Sequence, residues 1–206
     1  MLQDGPSLEV EQACADAFAT AAALNALTAR WHSETPQWHG HVSELHLANF
    51  ELWHLEDQAR DTASGDAAVA ATKRSIDRVN QRRNDTVEII DVALLESLNK
   101  QGLPKPEAPL HSETPGQMLD RLSILALKLF HTGLEAARET ATVDHRQRNA
   151  SRTLALREQQ DDLASCLTAL WRDLRLGQRR FKLYRQMKMY NDPSLNPVLY
   201  SAELQR

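Results

Sequence analysis

Lys73-Arg74-Ser75-Ile76-Asp77-Arg78-Val79-Asn80-Gln81-Arg82-Arg83-Asn84-Asp85, running on to Glu88 and Asp91, reads as one long helix carrying a polar stripe. At a repeat of 3.6 residues, Lys73, Asp77, Asn80, Asn84, Glu88 and Asp91 fall on one line. The adjacent seam, Ile76, Asn80, Arg83, Val87, Ile90 and Leu94, is apolar at both ends and polar in its middle. A helix that buries this seam has to satisfy Asn80 and Arg83 inside the protein, because an unpaired buried polar group costs about 1–3 kcal/mol. Such a pattern fits a ligand pocket, and it equally fits a polar network that fixes helix register. A second stretch, His46-Leu47-Ala48-Asn49-Phe50-Glu51-Leu52-Trp53-His54-Leu55-Glu56-Asp57-Gln58-Ala59-Arg60, has the same character. Asn49, Trp53, Glu56 or Asp57, and Arg60 project from one side of it.

Outward from these two stretches, the remaining pattern is helical as well. Gly is scarce at 7 residues, β-branched runs are almost absent, and Leu, Ala, Gln, Glu and Arg dominate, which favours helix nearly throughout. A first helix is expected from Ser7, as N-cap, to about Arg30, with Val10, Cys14, Phe18, Ala21, Leu24 and Leu27 on its inner face. Trp31 to Gly40 reads as a loop, and a second helix as running from about Ser43 to Thr62. Ser64-Gly65-Asp66 is a turn, and the third helix follows to about Asn99, roughly 50 Å at 1.5 Å per residue. Gln101 to Glu113, with Gly102, Pro104, Pro106 and Pro109, is a linker that forbids continuous helix. Thr114-Pro115-Gly116-Gln117 starts a fourth helix: Thr114 suits the N-cap, Pro115 the first helical position, and Gln117 closes a capping box. The boundary between the fourth and fifth helices falls near Thr142 to Ser151. The fifth carries the seam Leu163, Leu167, Leu170, Leu174, Gly177, Phe181 and Tyr184 and ends at Asn191-Asp192-Pro193. Gly177 inside that helix implies a close helix crossing. The expectation is an all-α bundle of about five long, mostly antiparallel helices. Residues 1–206 form one domain, with the Pro-rich linker 101–113 between two helical halves.

Composition bounds the function. Of 206 residues, 42% are hydrophobic and 25% charged, a globular balance. A net charge of -4 and a pI near 6.1 argue against general nucleic-acid binding. Cys14 and Cys166 match no zinc or redox spacing. Met1-Leu2-Gln3-Asp4-Gly5-Pro6 has neither the basic nor the apolar region of a signal peptide, and no apolar stretch is long enough to span a membrane. These absences lead to the expectation of a reducing, cytoplasmic location.

Four segments carry a resemblance. Asn49-Phe50-x-Leu52-Trp53-His54-x-Glu56-Asp57-x-Ala59-Arg60 and Lys73-Arg74-x-Ile76-Asp77-x-x-Asn80-Gln81-x-Arg83-Asn84-Asp85 are the first two. Thr114-Pro115-Gly116-x-Met118-Leu119-Asp120-Arg121-Leu122-Ser123-Ile124-Leu125-x-Leu127-Lys128 and Tyr184-Arg185-Gln186-Met187-Lys188-Met189-Tyr190-Asn191-Asp192-Pro193 are the others. Together they resemble a family of uncharacterised bacterial proteins, domain of unknown function 4254, over most of the chain beyond about His41. The resemblance implies an all-helical protein without an assigned activity and supplies no catalytic residues. It also implies a setting near the sugar-transfer enzymes of cell-surface polysaccharide assembly.

Several clusters are candidates for chemistry. Asn49, Trp53, Asp57 and Arg60 face Lys73, Asp77, Asn80, Arg83, Asn84 and Glu88 if the second and third helices pack antiparallel. In that arrangement the acids pair with Arg60, Lys73 and Arg83, while Asn80 and Asn84 complete the hydrogen bonds. Asp120, Arg121 and Lys128 lie near the tightly specified start of the fourth helix. A helix N-terminus suits phosphate, and Gly116 lets a ligand approach closely. The basic end of the fifth helix, Arg172, Arg175, Arg179, Arg180, Lys182, Arg185 and Lys188, reads as a solvated face or as a site for an anionic partner. Arg121, Lys128, Arg179 and Arg185 are the candidate anion-binding residues. Glu51 and His54 form a Glu-x-x-His step of the kind used in di-iron bundles, but no second such step exists in the chain. His39, His41 and His46 cluster near the entry to the second helix, without a carboxylate or Cys at a familiar metal-ligand spacing. No metal and no cofactor are therefore assigned. No Ser-His-Asp order, Gly-rich phosphate loop or dinucleotide fingerprint is present.

The leading expectation is a non-catalytic binding or accessory protein with a polar inter-helix cluster, serving cell-surface glycan synthesis. One alternative is an enzyme on a phosphorylated or nucleotide-linked sugar, with Asp57, Asp77 or Glu88 as acid or base and Arg60, Lys73 or Arg83 as phosphate clamp. Another is a metal-dependent helical-bundle enzyme using Glu51 and His54. The partners expected are an anionic small molecule, a sugar phosphate or nucleotide, and a second copy of the chain in a C2 homodimer.

Overall fold

The computed structural model describes residues 6–61, 63, 65–185 and 193–195. It is all-α, with six α-helices in chain order: α1 Pro6–Ala15, α2 Ala17–Trp31, α3 His41–Ala59, α4 Asp66–Asn99, α5 Pro115–Ala137 and α6 Val143–Arg175. No helix among the described residues is long and apolar enough to cross a membrane.

The expected first helix is two helices. It starts at Pro6, one residue ahead of the Ser7 expected as its cap, and breaks at Asp16. The Asp16 carboxylate accepts from the Ala19 N–H at 3.0 Å and so caps α2. Asp competes for backbone donors in this way, which makes it a poor helix-interior residue and a good cap. α3 starts two residues earlier than expected, because a residue far away in sequence caps it. Glu9 of α1 accepts from the N–H groups of His41 and Val42, at 3.0 and 3.2 Å. Gly40, with φ +80°, turns the chain into this cap. α3 ends at Ala59. The expected end at Thr62 and the Ser64 of the following turn lie outside the described residues.

α3 and α4 form an antiparallel hairpin, tied across by Arg82 to Glu51 at 2.6 Å. α5 and α6 form another, with His145 to Glu135 at 2.7 Å. Their turn, Arg138–Thr142, comes ahead of the boundary expected near Thr142 to Ser151 and meets it only at Thr142, which caps α6 through the His145 N–H. One cluster of buried residues draws on all six helices, among them Cys14, Leu24, Leu45, Ile90, Leu94, Leu98, Leu122, Leu167 and Leu174.

α6 stops at Arg175, nine residues before the Tyr184 that ends its expected seam. Gly177 takes φ +69°, the left-handed conformation that closes helices, so it stands past the helix end and not at a helix crossing. The chain beyond it is extended. Arg180 pairs with the linker: its N–H donates to the Pro109 carbonyl, its carbonyl accepts from His111 N–H at 2.8 Å, and its Nε donates to the Ala108 carbonyl at 2.7 Å. Phe181 is buried in the core from this extended segment, while Tyr184 is exposed. Arg179 and Arg185 are accordingly not on a helix. The helix end expected at Asn191-Asp192 and the basic Lys188 lie outside the described residues.

Candidate functional site

The start of α5 is built as its sequence predicts. Thr114 accepts from the Gln117 N–H, and the Gln117 side chain accepts from the Thr114 N–H, completing the capping box. Pro115 brings no donor. The remaining free donor, the Gly116 N–H, goes to Asp91 of α4 at 2.7 Å. The expected phosphate position is therefore taken by the chain's own carboxylate, and Gly116 admits α4, not a ligand. Burial pushes the Asp91 carboxyl up to about 6, against the opposing pull of its bonds to Thr114 and Gly116.

One turn further along α5, Asp120 and Ser123 replace apolar residues on the inner face. Asp120 is the partner of Arg83: Nε donates to Oδ1 at 2.8 Å and Nη2 to Oδ2. This fork is the strong form of an ion pair. The expectation that Arg83 pairs with an acid of its own helix or of α3 is corrected, since the acid comes from α5. The Asn49 amide donates one hydrogen to Asp120 Oδ1 at 2.9 Å and the other to Ser123 Oγ at 3.0 Å. Ser123 in turn meets His46 Nδ1 at 2.8 Å, and His46 Nε2 meets Thr28 Oγ1 at 3.0 Å.

The proton order along this chain follows by counting. The single Thr28 hydroxyl proton goes to the Leu24 carbonyl at 2.8 Å. Thr28 Oγ1 must then accept from His46, which places the imidazole proton on Nε2. The bare Nδ1 accepts from Ser123, whose oxygen accepts from Asn49. Each hydrogen in the series from Arg83 and Asn49 to Leu24 is used once. Burial holds His46 down to about 4, so the ring is neutral near pH 7. Trp31 stacks on it with ring centroids 5.1 Å apart.

On the outer side of the Arg83–Asp120 pair, α3, α4 and α5 enclose a cleft of about 350 Å³. Its wall holds Asn49, Trp53, Asp57, Arg60, Asn80 and Arg83, all expected from the sequence, together with Leu52, Glu56, Ile124 and Leu127. Arg60 is held by Asp57 at 3.1 Å and Glu56 at 3.8 Å. Asn80 is half-buried and makes no side-chain hydrogen bond among the described residues. Trp53 forms part of the wall and lies flat on His131.

The other candidates fall elsewhere. Lys73 and Asp77 pair with each other at 3.8 Å on the exposed face of α4. Glu88 pairs with Arg185 at 3.2 Å. Asn84 is half-buried on α4 but does not line the cleft. Arg121 is forked onto Glu113 at 2.8 and 2.9 Å. Lys128 is exposed and lines a groove between α5 and α6 together with Arg121, where Glu113 and Asp162 also stand, while Arg179 and Arg185 lie elsewhere, beyond the end of α6. Glu51 is engaged with Arg82, while His54 packs against Phe50 and His32. His41 meets Glu44 and His46 is sealed in the core, so neither metal candidate is assembled. Among the described residues, no three His, Cys, Asp or Glu side chains converge on one metal position.

Sequence reasoning missed Asp120, Ser123 and His46 as one network. A signal was available: Asp120 and Ser123 stand one turn apart on a helix that is otherwise Leu-rich, and so does the pair His46 and Asn49. Two polar pairs at the same spacing on two apolar faces are what a shared buried network requires.

Residues 39–183 match a family model described as Protein of unknown function (DUF4254). No curated protein and no solved structure matches the chain.

Proposed function

The chain belongs to the DUF4254 family, and on that premise we propose that it is a non-catalytic binding protein holding a small, hydroxyl-rich ligand in the α3–α4–α5 cleft. The observation that carries this reading is the unpartnered Asn80 amide in a cleft whose other polar groups are already fixed. An amide offers both donors and an acceptor. Glu56 and Asp57 add acceptors, and Trp53, Leu52, Ile124 and Leu127 add apolar surface. A few placed polar groups on apolar walls, in 300–1,000 Å³, is the usual make-up of a small-molecule site. Arg83 is neutralised by Asp120 and Arg60 by Asp57 and Glu56. A free phosphate would have to displace a carboxylate from either one, so a sugar suits the cleft better than an anion. A sugar also accords with the setting near cell-surface polysaccharide synthesis that the family resemblance implies.

Two observations support a non-catalytic role. Of the groups whose ionisation is displaced, His46 and Asp91 are sealed in the core and cannot meet a ligand, and His54 and His131 are packed among aromatic rings and do not line the cleft. The residues of the enzyme reading are also divided: Lys73 of the phosphate clamp and Asp77 and Glu88 of the acid–base set are engaged away from the cleft, while Arg60, Arg83 and Asp57 line it already paired.

Native mass spectrometry of gently purified protein, followed by thermal-shift and calorimetric screening of neutral and phosphorylated sugars at pH 7.5, tests the reading. The expected result is one sugar bound per cleft. Asn80→Ala should weaken it by about tenfold, the worth of a hydrogen bond or two, without altering the unfolding midpoint. If no sugar binds, or if Asn80→Ala and Trp53→Ala leave binding unchanged, the cleft is not the site.

A further inference from the structure

Three histidines meet beside the cleft from three helices. His32 stands just past the end of α2, His54 is on α3 and His131 on α5. The His32 ring centroid lies 5.3 Å from that of His54 and 5.0 Å from that of His131, and the last two are 6.3 Å apart. Their surroundings are aromatic. Phe130 stacks on His32 at 4.0 Å, and Phe50 meets the edges of His32 and His54. Trp53, on the cleft wall, covers His131 with centroids 4.4 Å apart and planes 7° from parallel.

The hydrogen bonding of this cluster suits neutral rings. His32 Nδ1 donates to the Thr28 carbonyl at 2.7 Å, which leaves its Nε2 without a proton when the ring is neutral. His131 Nε2 is buried with no partner. An imidazolium carries N–H on both nitrogens, so charging His131 leaves a buried donor without an acceptor. It also places a positive charge beside two other imidazoles. Burial, His32 and His54 together push His131 down to about 4, and burial and His32 lower His54. The charged groups around the cluster are few. Asp57 of α3 pulls both histidines the other way. Lys128 and Glu135 of α5 and Arg152 of α6 flank the outer side of His131, and Glu135 is already engaged by His145 and Arg138. α2 brings only His32.

We propose that His32, His54 and His131 form a proton-operated latch on the Trp53 wall of the cleft: neutral, the rings stack and hold the indole in place; charged, His131 leaves the stack and frees it. The cleft is then closed for binding near neutral pH and loosened by acid. A ligand that needs Trp53 in place must, by linkage, oppose protonation to the same extent. This inference rests on the binding reading for its purpose, but the latch itself is measured without ligand.

The test uses the full chain labelled with 5-fluorotryptophan. It has four tryptophans, and the ¹⁹F resonance of Trp53 is assigned from Trp53→Phe. On titration from pH 7.5 to 4, the Trp53 resonance is expected to begin moving below about pH 5 and to be about half-way at pH 4, where His131 is half charged, while Trp38 and Trp171 stay fixed and the far-ultraviolet dichroism is retained. His131→Phe keeps a ring under the indole but cannot charge, and it should abolish the movement. His131→Gln removes the ring and should put Trp53 in its acid position already at pH 7.5. A Trp53 resonance that stays fixed to pH 4, moves only together with all four in unfolding, or moves equally in His131→Phe overturns the latch. None of these outcomes touches the sugar-binding result at pH 7.5, and an empty cleft leaves this titration unaffected.

Discussion

The Gly116 N–H donates to Asp91 Oδ1 at 2.7 Å, and this bond sets how closely α5 approaches α4. A Cβ at position 116 would stand 2.8 Å from that oxygen and 2.8 Å from the Val87 carbonyl. A backbone carbonyl inside a helix cannot swing aside. Gly116→Ala is therefore expected to destabilise the protein by about 1–3 kcal/mol, the usual penalty of overpacking. Urea unfolding should show a lower midpoint at unchanged slope. Gly133→Ala on the same helix is the control. A Cβ there meets nothing within 4 Å, so the substitution should stabilise by up to about 1 kcal/mol through helix propensity. Equal effects at the two positions would refute the steric account.

Asp91 itself carries a pH dependence. Its folded value, about 6, lies above the ordinary 3.8 because burial penalises the charge. The stability it contributes is thus fully present below pH 3.8 and is lost as pH rises through 6. That displacement corresponds to a loss on the order of 3 kcal/mol. Asp91→Asn keeps an oxygen for the Gly116 N–H and carries no charge. It should be more stable than the native chain at pH 7.5 and no more stable at pH 4, by denaturant unfolding at both values.

The Arg83–Asp120 fork should be costly to break from one side. Asp120→Ala leaves the guanidinium and one Asn49 N–H without acceptors. A buried pair broken this way loses about 3–5 kcal/mol. The Arg83 side chain is 26% exposed, which moves the expectation to about 2–3 kcal/mol. Asp120→Leu combined with Arg83→Met should recover most of the loss, since no charge is left stranded. Additive losses in the double variant would show that each residue acts alone.

The contrast between what was legible in the sequence and what was not follows from the range of the interactions. The α4 stripe, the α5 capping box and six of the cleft residues are set by local spacing, and spacing is written in the chain. Asp120 as partner to Arg83, Glu9 as the cap of α3 and Asp91 as the acceptor for Gly116 join residues between 25 and 37 positions apart. Periodicity says which face such a residue is on and not what it meets. Gly177 shows the reverse failure. The Leu163-to-Tyr184 seam kept its helical period past the helix end, because Phe181 returns to the core from extended chain. Burial alone therefore could not mark where α6 stops, and the glycine was the only local sign.

His46 runs against Asp91 in the same pH range. Its folded value, about 4, lies below the ordinary 6.5 because burial disfavours the imidazolium. The stability it contributes is present above pH 6.5 and is lost as pH falls through 4, again on the order of 3 kcal/mol. Asp91 gains stability over nearly the same interval on acidification, so the two terms largely cancel in the native chain. Substitution should separate them. Asp91→Asn is expected to lose stability steadily from pH 6.5 to 4, since the His46 term then stands alone. His46→Gln, which keeps a donor and an acceptor between Ser123 and Thr28, should instead gain stability over that range. The double variant should be as flat as the native chain, and the small acid loss from the half-exposed His131 is common to all four proteins. Urea unfolding of the four proteins at half-unit steps of pH reads this directly. Parallel profiles for all four would mean that neither buried group titrates with folding.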